Sequence, residues 1–269
     1  MARQMFLFDI PGVVKNNIAS SEIRILNWNI ANPSIERAYK QFDWLIKTKA
    51  NIIILTEAKY SKGCTYIKDG LENVGFNVLF PEPENNDYNV MLAAKGFHSE
   101  KWELNLPFLP HRLVSFIIKT FLGNLKLIGM YVPSRGPKEK RNVNKRKFQD
   151  QIIKFLGSSF RNKNKSNLIV GGDLNVIEPD HVPHYPVFGD WEYEFYNFFI
   201  KIGLVDAYKF CHKNTQEYSW FGKYRDGYRF DHLFVAKNIS SFIKECYYIH
   251  EPRISKLSDH SAIFLKLLK

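Results

Sequence analysis

Asn29, Glu57, Tyr131, Asp173, Asn175, Asp231, Asp259 and His260 stand in, or at the ends of, apolar stretches of this 269-residue chain. Asn, Asp and Ser are equally at home in turns, because they bond their own backbone, so none of these residues marks a site alone. Asp231 is the exception. A carboxylate set between Phe230 and Leu233 needs a partner if it is buried, and the segment "SDH", 258–260, offers a histidine.

Together the set describes one chemistry. Carboxylates such as Glu57, with neutral Asn29, are hard oxygen ligands suited to Mg²⁺ or Mn²⁺ rather than zinc. An Asp–His pair orients an imidazolium, which then stabilises charge on a phosphoryl oxygen. In "IVGGDLNVI", 169–177, Asp173 can orient or deprotonate a water while Asn175 holds that water in line. The glycines are expected to leave room for phosphate and water beside the backbone. The reaction this assembles is metal-assisted hydrolysis of a phosphoester.

Such residues need strands to carry them. "EIRILNWNI" (22–30) reads as a strand, and "NIIILTEA" (51–58) as a buried one. Between them, apolar positions at Ile35, Ala38, Phe42 and Leu45/Ile46 predict a helix over 34–49, with Ser34 as its N-cap. Residues 89–95 predict a further strand. Residues 112–132 predict a hairpin joined at Gly123-Asn124. A helix is expected over 143–157, closed by Gly157, then the strand ending in "GGDLN" and a helix over 190–203. Strands at 227–236 and 260–268 complete a mixed α/β sandwich in one domain. Residues 1–20 are read as an N-terminal extension and 21–269 as the catalytic domain.

The chain holds 38 Lys and Arg against 27 Asp and Glu, a net charge of +11. That balance favours a polyanionic partner, nucleic acid or an anionic membrane surface. Cys64, Cys211 and Cys246 are an odd count without CxxC spacing, which argues against a disulfide framework or a zinc site and for a reducing cytoplasm. No apolar run is long enough to span a bilayer, so stable membrane insertion is not expected. The chain is expected to act as a monomer.

The same residues resemble the endonuclease/exonuclease/phosphatase superfamily, the deoxyribonuclease I-like proteins. "LNWNI" is similar to its WN motif, "ILTEAK" to LQE, and "GMYVPSRG" to the tyrosine motif. "GGDLNV" matches GDxN, "GYRFDHLFV" the R-x-D strand, and "LSDHSAI" the terminal SDH, all in the family's order. The resemblance implies a four-layer sandwich of two packed sheets flanked by helices, with the site at its end. It implies Glu57 as principal metal ligand with Asn29 beside it, and Asp173 as general base positioned by Asn175. It further implies His260 on the scissile phosphate, held by Asp231, Asp259 on the metal or leaving-group side, and Tyr131 donating to a phosphate oxygen.

"KIGLVDAYKF" and "EYSWFGKYRDGYRFDHLFVA" are most similar to the exonuclease III branch. In that branch, aromatic residues of this stretch line a pocket for an abasic deoxyribose; Trp220, Tyr228 and Phe230 occupy it here. Three positions depart from the pattern. Ala31 replaces an expected acidic or amide residue, the loop after Asn175 carries His181 and His184 instead of a glycine-rich sequence, and His232 follows Asp231.

Basic residues cluster close behind the tyrosine motif. Arg135, Lys138, Lys140, Arg141, Lys145, Arg146 and Lys147 are expected to meet phosphates, as are Lys223, Arg225 and Arg229, with Trp220 and Tyr228 beside them. "RNKNK" (161–165) adds charge. The expectation is a Mg²⁺- or Mn²⁺-dependent nuclease of exonuclease III type, including an abasic-site endonuclease, acting on DNA in preference to RNA. The alternatives are a phosphatase or phosphodiesterase of the same fold acting on a phospholipid, inositol phosphate or small nucleotide, and a non-enzymatic binding module.

Overall fold

The computed structural model describes residues 21–83, 85–136, 139–159 and 166–269. The expected extension 1–20, Lys138 and the basic stretch 161–165 lie outside them. Two six-stranded sheets stack face to face. The first runs in the order Ile243–Ile249, Ala262–Leu268, Glu22–Asn29, Ile52–Ala58, Asn89–Ala94, Asn77–Leu79. The second runs His98–Lys101, Leu113–Thr120, Gly123–Tyr131, Leu168–Asp173, Asp231–Ala236, Leu204–Asp206.

Each sheet is built around one parallel pair joined by a helical crossover. In the first, Glu22–Asn29 pairs with Ile52–Ala58 through the helix Ile35–Lys47. In the second, Gly123–Tyr131 pairs with Leu168–Asp173 through the helix Glu139–Ser159. Carboxyl ends of parallel strands are where α/β sheets place ligands, and here they carry Asn29 and Glu57 from one sheet, Tyr131 and Asp173 from the other.

Strand alternation sorts the core into layers. Leu26, Trp28, Ile53 and Leu55 face outward against Ala38, Leu45, Cys64 and Ile67 of the helices Ile35–Lys47 and Lys62–Asn73. Ile25, Ile54, Val90 and Leu92 face inward and belong to the core shared with the second sheet. The outer helices over that sheet, Glu139–Ser159 and Asp190–Lys201, contribute Ile152, Leu156, Phe195 and Phe199.

The glycines of "VGGDLN" have a packing reason, which corrects the expectation of room for phosphate. A Cβ on Gly171 would lie 2.5 Å from Leu233 and 2.8 Å from Ile54. One on Gly172 would lie 1.8 Å from the Met130 carbonyl oxygen. Gly129, opposite Gly171 in the parallel pair, likewise has Leu92, Val90 and Ile54 within 2.7–3.0 Å of where its Cβ would be.

Ser34 caps its helix as expected, its hydroxyl accepting from the Arg37 N–H. Three boundaries differ. The hairpin turns at Phe121-Leu122, and Gly123 already pairs with Thr120. The helix expected over 143–157 starts at Glu139 and runs through Gly157. The strand expected over 227–236 is interrupted, because the Phe230 and Asp231 N–H groups both donate to Ser219 Oγ, at 3.0 and 3.2 Å, rather than to a neighbouring strand. Gly227–Tyr228 instead pairs with Trp220–Phe221 in a short ribbon. The cysteines are free, and among the described residues no helix is long and apolar enough to cross a membrane.

Candidate active site

Asp173 and Asp231 face each other across the antiparallel pair of the second sheet. From the first sheet come Asn29, at a strand end, and His260, just before the strand Ala262–Leu268. Asn29 Nδ2 donates to Asp173 Oδ2 at 2.9 Å and lies 3.4 Å from His260 Nε2. His260 Nδ1 lies 2.7 Å from Asp231 Oδ2. Both close contacts therefore cross from one sheet to the other. All four side chains are buried.

Burial and the neighbouring Asp231 push the Asp173 carboxyl up to about 8. Burial alone would pull His260 down, but the Asp231 and Asp173 carboxylates outweigh it and push it up to about 10. Asp231 Oδ1 is buried and finds no partner among the described residues.

The neighbouring residues are held as firmly. Tyr131 donates to Glu57 Oε1 at 2.6 Å, so its hydroxyl meets the carboxylate expected to hold metal. Burial, reinforced by Glu57, keeps that phenol well above its ordinary range and therefore protonated. The Arg112 guanidinium lies over the Tyr131 ring, 4.9 Å from its centroid, and is itself fixed by Asp87 at 2.7 and 3.0 Å. The Asn175 N–H donates to Asp173 Oδ1 at 3.0 Å and its side-chain amide to the Val132 carbonyl at 2.9 Å. Asp259 is exposed and accepts from Trp220 Nε1 at 3.0 Å.

Backbone strain gathers here. Ala31, Asn32, Glu57 and Asn175 have φ of 49°, 40°, 52° and 49°. Residues with a Cβ occupy this left-handed region at a cost, and persist there where surrounding contacts impose it.

A cleft of about 710 Å³ opens onto Glu57, Asp173, Asn175, Asp259 and His260. Its opposite wall is aromatic, with Phe188, Trp220, Tyr228 and Phe230, and Arg135 reaches it from one side. Tyr228 and Phe230 stack at 5.1 Å. A second groove of about 750 Å³, between Lys59, Trp102 and Phe108, contains none of these candidate residues.

The donor set fits a hard divalent cation. Glu57 and Asp259 present carboxylate oxygens to the cleft. Asp173, Asp231 and His260 bring ligand atoms within 4.8 Å of one another. Oxygen-rich sites of this kind favour Mg²⁺ or Mn²⁺. Asn29 is a bridge here more than a free donor, since its Oδ1 accepts the Ala31 N–H at 2.9 Å.

The expected basic contacts divide. Lys140, Arg141, Arg146 and Lys147 are exposed along the helix Glu139–Ser159, and Lys223 and Arg225 are exposed beyond the ribbon strand Trp220–Phe221. Lys145 and Arg229 are corrections, because both are fully buried. The Lys145 ammonium is bonded to Glu192 and to the Asn175 carbonyl. Arg229 is enclosed by Glu178 at 3.0 Å and Asp206 at 2.7 Å. Neither side chain reaches solvent, so neither meets a phosphate.

His181 is also buried, with Nδ1 3.0 Å from the Pro183 carbonyl and rings of Tyr185 and Tyr218 beside it. His184 is exposed, near Tyr193. His232 bonds the Val176 carbonyl at 2.9 Å and stacks on Phe234. Sequence reasoning missed Phe188 and Glu192. Phe188 stands among the aromatics Tyr185 and Trp191 of "VPHYPVFGDWE", the signal for the first; Glu192, three residues after Gly189 and bonded to its N–H, reads locally as no more than a helix-start residue.

No protein-family model matches the sequence, and no curated protein matches it. Solved structures do match. An AP endonuclease from Archaeoglobus fulgidus superposes with a TM-score of 0.75 at 21% identity, over 90% of this chain and 98% of that one. The 3′–5′ exonuclease NExo from Neisseria meningitidis superposes with a TM-score of 0.75 at 18% identity, over 92% and 100%. A variant of the 3′ phosphatase NExo from Neisseria, bound to a product DNA hairpin, gives 0.75 at 18% identity, over 91% and 99%. The chain is similar to all of these in fold: it is a deoxyribonuclease I-like α/β sandwich.

Proposed function

We propose that this protein is a divalent-cation-dependent phosphodiesterase acting on DNA, of the exonuclease III type, with an abasic-site or 3′-terminal phosphoester as substrate. The observation that carries the reading is the inter-sheet cluster Asn29–Asp173 and His260–Asp231 at the floor of a cleft walled by aromatic rings. Fold alone hosts many functions, so the site bears the argument. The neighbours described as an AP endonuclease and a 3′–5′ exonuclease support the choice of nucleic acid among phosphoesters, as does the net charge of +11.

Asp173, whose carboxyl is raised to about 8 in the absence of a cation, takes a proton from water once it has itself ionised. The Asn175 backbone fixes the angle of that carboxylate. His260, kept cationic by Asp231, donates from Nε2 toward a phosphoryl oxygen. Tyr131 keeps its proton and orients Glu57. Glu57 and Asp259 would hold a Mg²⁺ or Mn²⁺ ion, whose chemistry there would be Lewis-acid polarisation of the phosphate. Trp220, Tyr228 and Phe230 offer ring faces to an unstacked sugar or base. Three free thiols suit a reducing cytoplasm, where the protein acts as a monomer.

The test presents duplex DNA with one abasic site, intact duplex, single strands and RNA, each with Mg²⁺ or EDTA. The expected result is a metal-dependent nick at the abasic site or release of 3′-terminal groups. Cleavage of a phosphoinositide or small diester with every nucleic acid left intact would sink the reading.

A further inference from the structure

Glu192 and Lys145 form an ion pair that no solvent reaches, both side chains being 0% exposed. A buried Lys–Glu pair contributes little net stability, because desolvation offsets the attraction, so its use lies in what it holds. Each partner holds a residue of the cleft. Lys145 Nζ donates to the Asn175 carbonyl at 2.6 Å. Glu192 gives Oε1 to Lys145, while Oε2 accepts Arg135 Nη1 at 2.6 Å and the Gly189 N–H at 3.0 Å.

Asn175 needs holding. Its φ of 49° is a conformation that its neighbours must impose, and its N–H lies 3.0 Å from Asp173 Oδ1. Fixing the Asn175 carbonyl helps to hold that strained conformation, and with it the N–H that orients the candidate base. Arg135 lines the cleft with one guanidinium nitrogen bonded to Glu192, so its orientation is set by the same carboxylate.

We infer that Lys145 and Glu192 are positioning residues, a pair spanning two helices that aligns Asp173 through Asn175 and presents Arg135 to a substrate phosphate. The inference rests on the hydrolytic reading above, and the two arms separate kinetically. Lys145 acts on the chemical step, through Asn175 and Asp173. Glu192 acts on that step and also on phosphate binding, through Arg135.

The experiment measures kcat and KM on the preferred DNA substrate for wild type, Lys145→Met, Glu192→Gln and Arg135→Ala, with melting temperatures for each. Lys145→Met is expected to lower kcat about 10- to 100-fold, the scale of a lost catalytic alignment, with KM within about twofold. Arg135→Ala raises KM at near-normal kcat, and Glu192→Gln shifts both. A Lys145→Met protein with normal kcat, or one whose apparent kcat falls only in proportion to its folded fraction, overturns the inference. Should that variant not fold, the double variant Lys145→Met/Glu192→Leu leaves no unpaired buried charge and must show the same fall in kcat. If wild type cuts no phosphodiester, the functional reading fails by itself. A crystal structure of the double variant then decides the inference: loss of the Asn175–Asp173 contact supports it, and an unmoved Asn175 overturns it.

Discussion

Arg229 and Asp231 lie two residues apart and head two buried charge clusters with opposite electrostatics. Around Arg229, the carboxylates of Glu178 and Asp206 flank one guanidinium, and the Tyr196 hydroxyl donates to Asp206 at 2.8 Å. Despite burial, the Arg229 guanidinium holds Asp206 well below the usual carboxylate range. Around Asp231, two carboxylates face each other with one imidazole bonded to Asp231, and one Asp231 oxygen has no partner among the described residues. There the carboxyl of Asp173 is pushed up to about 8. Asp206 and Arg229 of the first cluster are held in the charge states they have in water. Asp173 and His260 of the second are shifted away from theirs, which is the condition for moving a proton or attracting a cation.

Asp173→Asn breaks the comparison most visibly. Hydrolysis is expected to fall by roughly 10²–10⁴-fold, the worth of a positioned general base, while melting temperature holds or rises because the amide cannot acquire the charge that Asp231 opposes. Steady-state kinetics beside a thermal melt checks both halves; full activity would refute the base assignment. Arg229→Met does the converse. It leaves Glu178 and Asp206 buried without their cation and is expected to cost about 3–5 kcal/mol in urea unfolding. Activity per folded molecule should change little, because Arg229 does not line the cleft.

The smallest effect is on pH dependence, where the clusters carry opposite signs. With no divalent cation present, native Asp173 keeps its proton to about 8 against 3.8 ordinarily. The native state then binds more protons than the unfolded chain, so stability falls as pH rises between those values. His260, held to about 10 against 6.5, extends the fall upward. Asp206 contributes the reverse, stability present above the ordinary carboxylate range and lost in acid. Melting curves from pH 5 to 9 should slope downward for wild type and less steeply for Asp173→Asn. Equal slopes would contradict the assigned origin.

These two clusters also mark what was legible in the sequence. Asn29, Glu57, Asp173, Asp231 and His260 end or border apolar runs, so their common location followed from strand direction. Lys145 and Arg229 did not declare themselves, because a cation reads the same whether it meets phosphate or a buried carboxylate. Their partners Glu192 and Glu178 lie 47 and 51 residues away. The helix Lys62–Asn73 went unread because Gly63 and Gly70 interrupt its pattern; both glycines are demanded by contact with Pro33 and Phe42. The strand Ile243–Ile249 buries only Cys246 and Tyr248, too little alternation to announce an edge strand.

Gly129 and Gly171 let the two sheets approach where Ile54, Val90 and Leu92 fill the space. Because Asn29–Asp173 and His260–Asp231 both bridge the sheets, the gap between sheets is the dimension to which the chemistry is machined. Hydrogen bonds at 2.9 and 2.7 Å tolerate a widening of only a few tenths of an ångström before they weaken. A single methyl group two residues below Tyr131 or Asp173, at either glycine, is therefore expected to act as a wedge. It detunes the active site at a temperature where the sandwich itself still stands.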